Sequence, residues 1–149
     1  MTAVRPVRLQ LSRRKGFDLQ AWSRAVNGLP AINCARPSRW GNRFVVCAND
    51  PVRLKHYGDY RRNVDLWSRW PVADAATAVT AFREVQCVAE WFLRAARTQL
   101  RARNLACWCG VCAKHAASGK PFDEPCQNCA PCHTDVLGDI ANAPICEAA

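Results

Sequence analysis

Six cysteines and two histidines crowd into one stretch, CWCGVC-AKH-AASGKPFDEP-CQNCAPCH, running from Cys107 to His133. Thiols and imidazoles at two- and three-residue intervals are what a tetrahedral metal needs, because a short loop turns two such groups onto one ion. Two ligand sets can be written. Cys109 with Cys112 and Cys126 with Cys129 are two pairs of the zinc-ribbon kind, thirteen residues apart. Alternatively Cys112, His115, Cys126 and Cys129 bind together and leave Cys109 free. In either set the polar segment AASGKPFDEP, with Gly119 and two prolines, is the loop held shut. So little of it is apolar that the metal would supply its ordering free energy. Four protein ligands leave no position for water, so the expected cofactor is structural zinc. Neither HExxH nor a His-x-Glu ahead of a cysteine pair is present.

Cys107, Cys132 and His133 remain. With Leu105 to Trp108 as a central strand and His133 opening a helix, they fall at the carboxyl end of a sheet, where α/β domains bind ligands. Backbone N–H groups at that helix start favour an anion, and a cysteine there has a lowered thiol pKa. Core packing of Cys107, helix capping by His133, or a second metal site of Cys107, Cys132 and His133 are the alternatives.

The elements that must position these groups are legible in part. Val7, Leu9 and Leu11 alternate with Arg8, Gln10 and Ser12, the period of a half-buried strand. Ser23 to Leu29 reads as a short helix or loop closed by Gly28 and Pro30. Ala31 to Ala35 and Phe44 to Cys47 read as extended segments around the loop RPSRWGN. Residues 48–72 are poorly readable; Tyr57, Tyr60, Trp67 and Trp70 interleave there with Arg53, Lys55, Arg61, Arg62 and Arg69. Asp74 can cap the helix after it. Ala78, Phe82, Val85, Ala89, Phe92, Ala96 and Leu100 recur at three- and four-residue spacings, predicting one long amphipathic helix over about 75–102 with a stop at Asn104. Val136, Leu137, Ile140 and Ala141 predict a last helix. The order β, β, long helix, β, helix favours a small single-domain α/β sheet over an all-α bundle, with the zinc-ribbon-like loop inserted after the last strand.

Bulk properties bound the partners. At 149 residues one domain over 1–149 is expected. No run approaches the roughly 18 apolar residues of a membrane span. The start, MTAVRPVRLQLSRRKG, lacks an apolar core, so the reading is a cytoplasmic protein whose cysteines are thiols and metal ligands rather than disulfides. Residues 1–72 hold fourteen Lys/Arg against four Asp/Glu, whereas 73–149 hold seven against eight. A basic half is the footprint of a phosphate-bearing partner, nucleotide or nucleic acid, or simply a solvated face.

Four islands carry a resemblance: Arg14-Lys15-Gly16, ARPSRWGNRF at 35–44, LACWC at 105–109 and PCHTDVL at 131–137. Together and in this order they resemble domain-of-unknown-function family 4326, short bacterial and phage proteins. Members usually read WGNPF where this chain has Arg43, and they join CWC to PCH by a few residues. Here the join is Gly110–Ala130, so Cys112, His115, Cys126 and Cys129 belong to an insertion at 110–130, whereas Cys107, Cys109, Cys132 and His133 match the motif. The resemblance implies an α/β domain without an established activity. Among motif residues, Arg36 and Arg39 are candidates to clamp a phosphate, Asn42 to hydrogen-bond a base or sugar, and Trp40 to stack, unless the loop is simply a turn with Trp40 buried.

The expectation is a nucleotide-, nucleoside- or nucleic-acid-binding domain. Any enzymatic role would be nucleotide or base processing, with His133 as acid/base and Asp135 as its partner. The alternatives are a non-catalytic zinc-containing nucleic-acid-binding module and a protein-interaction module.

Overall fold

The computed structural model describes residues 3–47, 50 and 69–145. The basic-aromatic stretch lies outside them up to residue 68. The main sheet contains β1 (Val7–Gln10), β2 (Ala31–Asn33), β5 (Asn104–Cys107) and β6 (Lys120–Pro121), in the order β2-β5-β1-β6. The first three are parallel, with Leu9 opposite Ala106 and Ile32 opposite Leu105. β3 (Phe44–Val46) and β4 (Trp70–Val72) form a separate parallel pair. Asn104-Leu-Ala-Cys is buried at every position because it is central and covered on both faces. Leu105 joins one core with Phe82, Phe92, Leu100 and Leu137, and Ala106 joins the other with Leu9, Phe17 and Trp22.

Five helices occur among the described residues: α1 (Leu19–Asn27), α2 (Ala75–Val85), α3 (Glu90–Gln99), α4 (Ala113–Ala116) and α5 (His133–Asn142). Asp18 caps α1 by accepting from Ala21 N at 3.0 Å, and Asp74 caps α2 by accepting from Thr77 N at 2.7 Å. The helix expected over 75–102 is two helices. A 3₁₀ turn at Gln86–Val88 and an extended Ala89 divide them. The apolar stripe does not register this break, because both halves face the same core. The bend is clipped by Gln86, which accepts from Arg43 N at 2.9 Å and donates to Gly41 O at 3.2 Å. Asn104, expected as a helix stop, instead opens β5 and bonds Val7 N, Ser23 and Asn27 through its side chain.

The 110–130 segment is stitched into the sheet. Its β6 pairs antiparallel with β1, placing Pro121 opposite Val7. Its Phe122 lies against α5 so closely that a Cβ at Gly138 would run into the ring. No helix among the described residues is long and apolar enough to cross a membrane.

Candidate metal centres and ligand cleft

Cys112 sits at the N-cap of α4, and His115 follows within that short helix. The loop carrying Cys126 and Cys129 folds back onto them. Cys112 Sγ lies 3.8 Å from Cys126 Sγ and 3.3 Å from His115 Nδ1, and His115 Nδ1 lies 3.3 Å from Cys129 Sγ. All four donor atoms are within 4.8 Å of one another. A tetrahedral ion with metal–sulfur bonds of about 2.3 Å requires sulfur–sulfur edges of about 3.8 Å. The backbone N–H of Cys112 donates to Cys129 Sγ at 3.2 Å, and an N–H from Asn128 holds the Cys126 thiol below its ordinary pKa. These four residues can hold a metal ion.

Cys109 does not join them. Its Sγ is 3.8 Å from Cys107 Sγ, and Cys107, Cys109 and Cys132 form a second group within 4.8 Å. Of the two ligand sets the spacing allowed, the one containing His115 is therefore the one the fold assembles. Cys107 ends β5 and Cys132 is the N-cap of α5, where Thr134 Oγ1 donates to its sulfur at 3.2 Å. Hydrogen bonds from Cys107 and Cys109 push the Cys132 thiol below its ordinary pKa, and the same sharing pushes Cys109 up.

A buried ion pair braces both groups. Arg8 is fully buried; Nη1 donates to Asp135 Oδ2 at 2.9 Å, and Nη2 donates to the carbonyls of Cys109, Gly110 and Ala130 at 3.3, 3.1 and 2.7 Å. Lys120 Nζ reaches Asp135 Oδ1 at 3.2 Å. Asp135 is thus engaged by two cations and is not brought to His133. Nothing in the sequence marked Arg8, because Val7-Arg8-Leu9 alternates like a strand with one wet face. The 110–130 segment and α5 cover that face.

His133 is also buried. Its Nε2–H donates to Cys34 O at 2.8 Å, its Nδ1 is 3.7 Å from Cys132 Sγ, and its ring stands edge-on to Phe82 at 5.0 Å. Burial lowers its pKa, so the imidazole is neutral near pH 7.

The loop residues divide. Trp40 is buried in the core, edge-on to Phe92 at 5.5 Å, so its faces are not a stacking platform. Asn42 is buried too, donating to Ala78 O and accepting from Phe44 N, both at 2.9 Å. Gly41 approaches Arg36 so tightly that a Cβ would lie 2.9 Å from its Cγ. Arg36 is exposed, with Nη1 donating to Asn42 O at 2.8 Å. Arg39 is exposed, 3.3 Å from Gln99 Oε1, with its guanidinium over Trp40.

At the carboxyl ends of β2 and β5 opens a cleft of about 410 Å³, bounded by Arg36, Val46, Trp108, His133 and the Cys107/Cys109/Cys132 group. Val46 and Trp108 are half-exposed there and offer apolar surface. A second hollow of about 560 Å³ lies on the α1 side, lined in part by Arg14, Phe17, Trp22 and His115.

Residues 17–143 match the family described as Domain of unknown function (DUF4326). The chain belongs to this family. The matched range includes the WGN loop, β5, the 110–130 segment and the cysteine-bearing start of α5. No curated protein and no solved structure matches the chain.

Proposed function

We propose that this family member binds a nucleotide-class ligand in the cleft at the carboxyl edge of its parallel sheet, and that zinc closes the Cys112/His115/Cys126/Cys129 site beside it. The observation that carries the reading is the cleft itself. It opens at the strand ends where α/β domains take ligands. Its wall combines a tethered arginine, Arg36, with the apolar surfaces of Val46 and Trp108. A guanidinium held by its neighbours is pre-organised for a phosphate, and apolar surface suits a base. The strongly basic N-terminal half would draw such a ligand in.

The roles within that ligand site follow from burial. Arg36 is the phosphate contact, with Arg39 on the approach. Trp40, Asn42 and His133 shape the cleft from behind, and Asp135 braces the strap that carries Cys109. In the zinc site the donor set is three sulfurs and one imidazole nitrogen, which suits zinc.

Thermal denaturation with nucleotides, nucleosides and short oligonucleotides tests the reading. Saturable stabilisation is expected, about 2.7 kcal/mol at a hundredfold excess over Kd, and is weakened by Arg36→Ala. A response confined to oligonucleotides that collapses steeply with salt would replace it with polymer binding. No response to any of these would sink it.

A further inference from the structure

The geometry points to a second metal site in this chain: Cys107, Cys109 and Cys132 form a three-thiolate centre for one zinc(II) ion, with its fourth coordination position open to the cleft. The three sulfurs come from the end of β5, the turn after it and the N-cap of α5. They converge within 4.8 Å, and the Cys107–Cys109 separation of 3.8 Å is the edge length of a tetrahedron around zinc. A disulfide would bring two sulfurs to about 2.05 Å. A [4Fe–4S] cluster would spread them, since each of its cysteines binds a different iron. A single ion is what the spacing fits.

The surroundings suit the charge of such a centre. Three thiolates on a dication leave one net negative charge. That charge sits at the N-terminus of the ten-residue α5, whose dipole favours an anion. Thr134 already donates to Cys132 Sγ, and the Arg8 guanidinium holds the Cys109 carbonyl from below.

No fourth protein ligand completes the sphere among the described residues. His133 donates Nε2–H to Cys34 O; its Nδ1, 3.7 Å from Cys132 Sγ, stands outside the group of donor atoms that lie within 4.8 Å of one another, and Cys34 Sγ turns to Ile32 O at 3.7 Å. Cys112, His115, Cys126 and Cys129 are committed to one another. Three protein ligands and an open position is the arrangement in which zinc holds an exchangeable water or a substrate atom. All three cysteines line the cleft, so the exchanging group comes from there. A net negative centre prefers a neutral donor, so the chemical class is water displaced by a heterocyclic ring nitrogen. That donor's being a nucleobase rests on the nucleotide reading above; the metal site does not.

Full-length protein purified without chelator tests this by elemental analysis. Two equivalents of zinc are expected, falling to one in Cys107→Ser and in Cys132→Ser. Should either variant fail to fold, alkylation of the wild-type chain with iodoacetamide decides. Cys107, Cys109 and Cys132 should react more than tenfold faster after chelation. In the cobalt-loaded protein, imidazole should shift the visible bands saturably. One equivalent in the wild type, equal alkylation with and without chelator, or a Cys107–Cys109 disulfide would overturn the site. Two equivalents with bands indifferent to imidazole would overturn the open position. Two equivalents with no thermal response to nucleotides would sink the nucleotide reading and leave the metal site standing.

Discussion

Arg8 and Asp135, 127 residues apart in sequence, meet at 2.9 Å with the guanidinium wholly withdrawn from water. The pair ties the inner strand β1 to the first turn of α5. Through the three carbonyls that Arg8 also holds, it ties both to the two ends of the 110–130 segment. Both cysteine groups are therefore tethered to one buried cation.

Removing that cation should be costly. Arg8→Ala leaves Asp135 with Lys120 alone and strips a donor from three carbonyls, so a loss of about 3–5 kcal/mol in denaturant unfolding is expected. Arg8→Met, which keeps the volume, should recover only part of it. A loss below about 1 kcal/mol would show that water or neighbouring donors replace the guanidinium.

The four-residue site should brace the 110–130 segment. Cys126→Ser is expected to release one equivalent of bound metal and to speed proteolytic cleavage within 113–130, while β1, β2 and β5 stay protected from hydrogen exchange. Protection lost throughout the chain would mean that the site holds up the whole domain.

His133 should behave as a buried hydrogen-bond donor. His133→Ala leaves Cys34 O without its partner and is expected to cost about 1–3 kcal/mol in thermal or denaturant unfolding. His133→Gln can donate to the same carbonyl and should restore part of the loss. If His133→Gln regains stability yet abolishes nucleotide-induced stabilisation, the ring serves the ligand as well as the fold.

Asp139 carries a pH dependence. Partial burial, with Asp123 and Asp135 nearby, pushes its carboxyl above the ordinary 3.8, although Arg83 and Lys120 pull the other way. A raised folded-state pKa means the ionised form burdens the fold. The burden is present at neutral pH and is relieved as pH falls through the folded pKa towards 3.8. Asp139 also lies in the C-terminal half of α5, where negative charge opposes the helix dipole. Asp139→Asn should therefore raise the melting temperature at pH 7, and the difference should shrink on acidification. A variant less stable at pH 7 would contradict this.

Local pattern made several features legible. Asp18 and Asp74 show what such signals can do: Asp74 was readable as a cap because an apolar period comes directly after it. Asp18 precedes a helix too short to declare itself. The apolar run at 105–107 announced a central strand because only a strand covered on both faces needs consecutive apolar residues. The spacing of Cys112, His115, Cys126 and Cys129 announced a metal-competent loop, since ligand intervals are a property of short chain segments.

Tertiary structure decided the rest. Whether Cys109 turns towards Cys112 or towards Cys107 depends on Arg8, which holds the Cys109 and Gly110 carbonyls from a strand a hundred residues away. Arg8 alternates with Val7 and Leu9 like any solvent-facing residue, and it is buried because the 110–130 segment and α5 close over it. The apolar stripe from Ala78 to Leu100 is continuous in sequence, yet Gln86 binds a loop forty-odd residues earlier and the helix breaks there. Periodicity records which side of an element is covered. It does not record what covers it, and on that depended where each thiol, the imidazole and the carboxylate of Asp135 came to lie.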